Sequence, residues 1–146
     1  MQKSPQLRQA SLILSRLMLD MLRNGARMTF NDVKFGSRAD DLVLCCAIFV
    51  GEAEGKPMTA AKLADYAGIP RPTVARKLRE MIGTGVITLS AGGQVRVDQR
   101  VDLSAVAESI VRGVHLVRRA AADLSKMDID AIAAIHGQTI SNDDRK

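Results

Sequence analysis

At 146 residues the chain suits one compact domain, or a small domain with extra helices, and nearly half of it is apolar. Three Phe, one Tyr and no Trp leave an aliphatic core and few platforms for stacking unpaired bases, which argues against a single-strand binder. The formal net charge of +5 sits between Lys56 and Arg100, where eight basic residues meet three acidic ones and the remainder balances; such a field attracts polyanions, although a solubilising surface would look the same by charge alone.

Residues 6–24 read as an amphipathic helix, with Leu7, Ala10, Leu14, Leu17 and Met21 recurring at helical spacing. Leu12, Ile13, Met18 and Leu22 widen its apolar face, and Asn24-Gly25 is the expected stop. Lys3, Arg8, Arg16 and Asp20 interrupt what would otherwise resemble a secretion signal. No stretch is apolar enough for a membrane span, so the expected setting is the cytoplasm, with no membrane partner. Residues 26–36 stay open between an extended stretch and a loop.

Ser37 reads as an N-cap, with Asp40 supporting the first turn of a helix that ends near Ala53. Its run Leu42 to Val50 is apolar almost all round, so a central, buried helix is expected. Cys45 and Cys46 lie within that run and read as small core residues in a reducing compartment, with a redox-sensing thiol as the alternative. Glu52 and Glu54 read as solvated.

Thr59 can cap a helix over Ala60–Ala67, whose inner face carries Leu63, Ala64 and Ala67, and Gly68 follows as a left-handed C-cap. Pro70 and Pro72 open the next helix, which buries Val74, Leu78, Met81 and Ile82 and stops at Gly83-Thr84-Gly85. Val86–Ser90 and Gln94–Asp98 alternate around Ala91-Gly92-Gly93, a hairpin pattern that places Ile87, Leu89, Val95 and Val97 inward. From Leu103, the residues Leu103, Ala107, Ile110, Val114, Val117, Ala121 and Leu124 form a heptad seam. Residues 128–136 suggest a short helix, and a disordered tail is expected from Gly137.

The segment from Met58 to Leu78 resembles the helix-turn-helix of bacterial winged-helix regulators, and Leu78 to Ile87 resembles their exit into the wing, with Met81 where a second Leu is usual. The resemblance is MarR-like, and IclR- and GntR-type domains share the pattern. It implies a mainly α fold with a small β-hairpin: a winged helix-turn-helix domain flanked by N- and C-terminal dimerisation helices. The expected organisation is residues 1–36 as dimerisation helix and connector, 37–100 as the DNA-binding domain, 101–126 as the second dimerisation helix, and 127–146 as short helix and tail.

Anchoring Val74 and Leu78 inward turns Thr73, Arg76, Lys77 and Glu80 outward, with Arg71 and Pro72 at the exposed start of the helix. In this fold that end enters the major groove. Arg pairs with guanine O6 and N7, and the Thr methyl packs on thymine. Arg71, Pro72, Thr73, Arg76 and Lys77 are therefore the expected base readers, and Thr59, Lys62, Arg79 and Arg96 the expected phosphate contacts. The short, uncharged wing tip departs from wings that enter the minor groove, so Arg96 is expected to touch the backbone at most. Leu7, Leu14, Leu17 and Met21, with the seam from Leu103 to Leu124, are expected to pair two copies of the chain about a twofold axis, the alternative being an intrachain bundle in which these helices cover their own winged domain.

The function expected is a sequence-specific duplex DNA-binding transcriptional regulator acting as a homodimer. A winged-helix protein-interaction module within a larger complex is the alternative. MarR-like proteins bind small effectors between dimer helices and winged domain, but no polar constellation here identifies one. His115 and His136 lack spaced partners for a metal site, and no phosphate loop or nucleophile motif points to an enzyme or a cofactor.

Overall fold

The computed structural model describes residues 5–31 and 35–134. In chain order these form α1 (Pro5–Phe30), a 3-10 turn (Phe35–Arg38), α2 (Ala39–Ala53), α3 (Ala60–Ala67), α4 (Arg71–Gly83), β1 (Ile87–Leu89), β2 (Val95–Val97) and α5 (Leu103–Leu124). Residues 129–134 add a further short helix. The helix expected over 128–136 is thus seen in its described part, while the tail from Gly137 lies outside the described residues. None of the described helices is long and apolar enough to cross a membrane.

The chain divides by contact into two compact units, one of residues 22–110 and one of residues 1–21 with 111–146. In the first, Leu44, Ala47 and Ile48 of α2 meet Leu63 and Ala64 of α3, Val74, Leu78 and Met81 of α4, Ile87 of β1 and Val95 of β2. Most of these side chains are fully withdrawn from water, and burial of this kind contributes about 1.5–3 kcal/mol for each large aliphatic group. The core is aliphatic, as the composition requires.

α1 continues beyond the stop expected at Asn24-Gly25. Packing overrides the local signal there: a Cβ on Gly25 would lie 3.1 Å from Leu42 Cδ2, so glycine admits a close approach rather than a turn. Ala26 is buried, and Asn24 Nδ2 donates to Ser109 O at 2.9 Å. The helix ends at Phe30, followed by Asn31 at φ 49°. Ser37 does not cap α2. It falls within the 3-10 turn, and Arg38 occupies the cap position without a side-chain cap bond.

α2 is central, but not buried all round. Leu42, Leu44, Ala47 and Ile48 face the core, whereas Val43, Cys46 and Phe49 are exposed. Cys46 is therefore not a core residue, while Cys45 packs its sulfur 3.8 Å from Met81 Sδ.

β1 and β2 pair antiparallel, with Ile87 opposite Val97, Thr88 opposite Arg96 and Leu89 opposite Val95. Ile87 and Val95 are buried, but Leu89, expected inward, is 51 % exposed. Leu89 ends the edge strand β1, whose strand neighbour is β2 alone, whereas Val95 opposite it lies in the core. A contact invisible to local patterning completes the sheet: Val95 N donates to Met58 O at 2.8 Å, and Thr59 bridges Gln94. Helix, helix, turn, helix and hairpin in this order form a winged helix-turn-helix.

The described parts of the other unit, 5–21, 111–124 and 129–134, are helical. Ala10, Gly113 and Ala120 are buried there, while Leu14, Met18, Met21, Val114 and Val117 are exposed.

Candidate nucleic-acid interface

α3 begins where Thr59, at φ −78° and ψ 165°, accepts a hydrogen bond from Lys62 N at 3.4 Å. It ends at Gly68, at φ 68° and ψ 27°, the left-handed conformation that costs an L-residue about 1–2 kcal/mol. Ile69 N then returns to Ala64 O at 3.1 Å. Ala64 is buried where α3 meets α4, and the missing side chain beyond its Cβ lets the two helices approach.

α4 opens with Arg71-Pro72, where proline's missing N–H leaves no helical bond unmade. Val74, Leu78 and Met81 anchor it inward. Arg71, Pro72, Ala75, Arg76, Arg79 and Glu80 are exposed, and Thr73 is half-buried. Of the expected base readers, the structure thus brings Arg71, Pro72, Thr73 and Arg76 onto or beside one outer surface, and adds Ala75. Arg79 shares that surface and folds its Nε back onto Ala75 O at 3.2 Å.

Lys77 does not join them. It is only 7 % exposed, and its Nζ lies 2.8 Å from Asp41 Oδ1. Asp41 is itself buried, and its second oxygen lies 3.3 Å from Arg38 Nη1. The reason is positional: Lys77 falls on the stripe of Val74, Leu78 and Met81, so its stem runs along the core and its charge needs a buried partner. Lys77 thus faces inward rather than outward as its charge led one to expect. The signal that pointed inward was this spacing; its charge pointed the other way.

Two exposed arginines carry carboxylate neighbours. Arg71 Nη2 sits 3.3 Å from Asp65 Oδ2, and Arg76 Nη1 sits 2.8 Å from Glu80 Oε1. Pairs this exposed are weak and exchangeable. Such a pair restrains the guanidinium loosely and gives way at little cost to another acceptor.

Among the expected phosphate contacts, Lys62 is exposed on α3. Thr59 is half-buried, with its hydroxyl oxygen serving as the cap. Arg96 is half-buried on β2, with Nη1 3.7 Å from Glu52 Oε1. Glu52, expected to be solvated, instead accepts a hydrogen bond from Val97 N at 2.9 Å and holds the wing to α2. The wing tip Ala91–Gly93 is exposed and uncharged.

Beyond β2, Arg100 donates to Asp98 through Nε at 2.9 Å and Nη2 at 2.7 Å, and its backbone N–H adds a third bond at 2.9 Å. These bonds hold the Asp98 carboxyl down to about 2. On α2 the opposite occurs: burial, then the neighbouring Cys46 and Asp41, push the Cys45 thiol up to about 12. His115 is exposed, and no cluster of three metal-ligating side chains occurs among the described residues. His136 lies outside them.

Residues 45–106 match the family model of the Crp-like helix-turn-helix domain. The matched stretch runs from the middle of α2 through α3, α4 and the hairpin into the first turn of α5. Comparison with curated proteins and with solved structures finds no match.

Proposed function

We propose that the chain is a sequence-specific transcriptional regulator that binds duplex DNA as a homodimer, with α4 as its reading helix. The observation that carries this is the division of α4 into a buried apolar stripe and an outer surface bearing Arg71, Arg76 and Arg79. A helix so divided fits the major groove, whose width admits one helix and whose edges distinguish all four base pairs. Arg71, Pro72, Thr73 and Arg76 then meet base edges, with Lys62, Arg79, Thr59 and Arg96 on the phosphates.

Pairing of two chains is supported by the exposed apolar seam of α5, where Leu103 is 78 % exposed and Ile110, Val114 and Val117 also face water. Leu14, Met18 and Met21 of α1 are exposed apolar residues as well. The MarR-like resemblance is carried by Met58 to Ile87, and the long helices before and after that stretch match such regulators only in layout. A twofold dimer would place its two reading helices about one DNA turn apart, on a pseudo-palindromic site. Any effector recognised by such a dimer is of unidentified chemistry.

Selection of bound fragments from random duplex DNA tests the reading in one step. The expected product is a pseudo-palindrome with half-sites about 10–10.5 base pairs apart. Enrichment of no motif, together with no duplex binding at low salt, would overturn it. Light scattering at micromolar protein should give twice the monomer mass.

A further inference from the structure

We infer that the Lys77–Asp41 ion pair determines specificity, by fixing the rotation of α4 about its own axis and so deciding which side chains meet the base edges. This deepens the duplex-reading role proposed above and rests on it. Four observations lead to it. Lys77 is the one cation of α4 turned inward, with its Nζ 2.8 Å from a carboxylate that is itself 3 % exposed. That carboxylate is fixed from the other side by Arg38 at 3.3 Å. It also sits in the first turn of α2, where the helix dipole favours negative charge. Finally, the rest of the interface between α4 and the core is apolar: Val74, Leu78 and Met81.

Apolar contacts have no direction, so Val74, Leu78 and Met81 hold α4 against the core but tolerate small rolls. An ion pair with a hydrogen bond does not. Side-chain tips lie about 5–6 Å from a helix axis, so a roll of about 10° moves them by about 1 Å. With the Lys77 stem confined in the core, where its side chain is only 9 % exposed, that displacement strains a bond of 2.8 Å. It would also shift Arg71 and Arg76 by the same amount, enough to spoil a bidentate pair on guanine. Stability alone does not call for charge here, because a buried ion pair can be exchanged for apolar groups of similar volume at little or no loss. What an apolar pair would not supply is the angular constraint.

The test uses the full chain and two labelled duplexes, the selected site and a scrambled version of equal composition. Fluorescence anisotropy gives the ratio of the two affinities and the salt slope, and thermal melting reports folding. The double variant Lys77→Met with Asp41→Leu should melt within a few degrees of the parent, while its affinity ratio falls about tenfold. The salt slope should not change, because the exposed cations remain. A folded double variant with the parent's ratio would overturn the inference. Should that variant fail to fold, Asp41→Glu keeps the charge on a longer arm. Selection with this variant should return an altered base preference at the positions facing α4, and an unaltered motif would be equally fatal. A parent that binds neither duplex at low salt refutes the duplex reading itself, and the inference with it.

Discussion

The carboxylate of Glu52, on the last turn of α2, accepts the backbone N–H of Val97 in the wing at 2.9 Å. Its other oxygen lies 3.7 Å from the guanidinium of Arg96. One side chain thus ties the wing's second strand to the central helix, at a point where no backbone partner is available on that edge. Removing it in Glu52→Ala leaves a half-buried N–H without its acceptor. The expected loss is about 1–3 kcal/mol of unfolding free energy by denaturant titration. Hydrogen exchange at the Val97 amide should accelerate, and Glu52→Gln, which keeps an acceptor, should restore most of the protection. An unchanged exchange rate in Glu52→Ala would count against the tie.

On the reading surface, Arg76→Ala should weaken the selected duplex by about 1–3 kcal/mol and relax base choice at one position of each half-site. Lys62→Ala should weaken selected and scrambled duplexes alike and lower the salt slope by about one ion per protomer. Arg96→Ala should behave like Lys62→Ala. A change of base preference in either phosphate variant would contradict the assignment, and repeat selection with each variant checks it.

Acid should act through Asp98. Its folded value of about 2 lies below the ordinary 3.8, chiefly because Arg100 donates side-chain and backbone hydrogen bonds to the carboxylate. A depressed carboxylate stabilises the fold above its unfolded value, and that contribution is lost as pH falls through the folded one. The Asp98–Arg100 contribution should therefore be complete at neutral pH and vanish between pH 3.8 and about 2. Carbon-detected NMR titration of the Asp98 carboxyl reads the value directly. Asp98→Asn should flatten the stability profile over that window, and an equal slope in parent and variant would dismiss the pair.

The adjacent cysteines should differ in reactivity. Burial pushes the Cys45 thiol up to about 12, so it stays protonated at neutral pH, while Cys46 is exposed. Alkylation of the native protein under mildly alkaline conditions should modify Cys46 alone, and Cys45 should follow only in denaturant. Tandem mass spectrometry of the shared peptide locates the label. Rapid double modification of the native protein would show that the Cys45 side of α2 opens readily.

Features set by neighbours in sequence were legible. Thr59 as cap, Gly68 as left-handed turn and Val74, Leu78 and Met81 as inner stripe all follow from rules spanning a few residues. Where longer-range packing decides, local rules failed. Asn24-Gly25 looks like a helix stop, yet Leu42 needs the space that a glycine leaves, and α1 continues to Phe30. Lys77 looks like an outward cation, but its position on the buried stripe and a carboxylate 36 residues earlier draw it in. Glu52 looks solvated because its partner, Val97 N, lies 45 residues later. Leu89 fits the alternating pattern of an inward residue, but it ends the edge strand β1 and stays exposed while Val95 opposite it is buried.

The extended residues Met58 and Thr59 grip β2 through Val95 and Gln94, so the ribbon of the wing is stitched to the very threonine that launches α3. Tip and stem of the hairpin then carry different bonds: Val95 N to Met58 O and Val97 N to Glu52 hold the ribbon to the helical body, while Gly93 N to Ser90 O and Gln94 N to Ser90 Oγ close the turn. A small tag or fluorophore spliced into Ala91–Gly93 would dangle from a clamped stem, offering a handle that leaves the helices undisturbed.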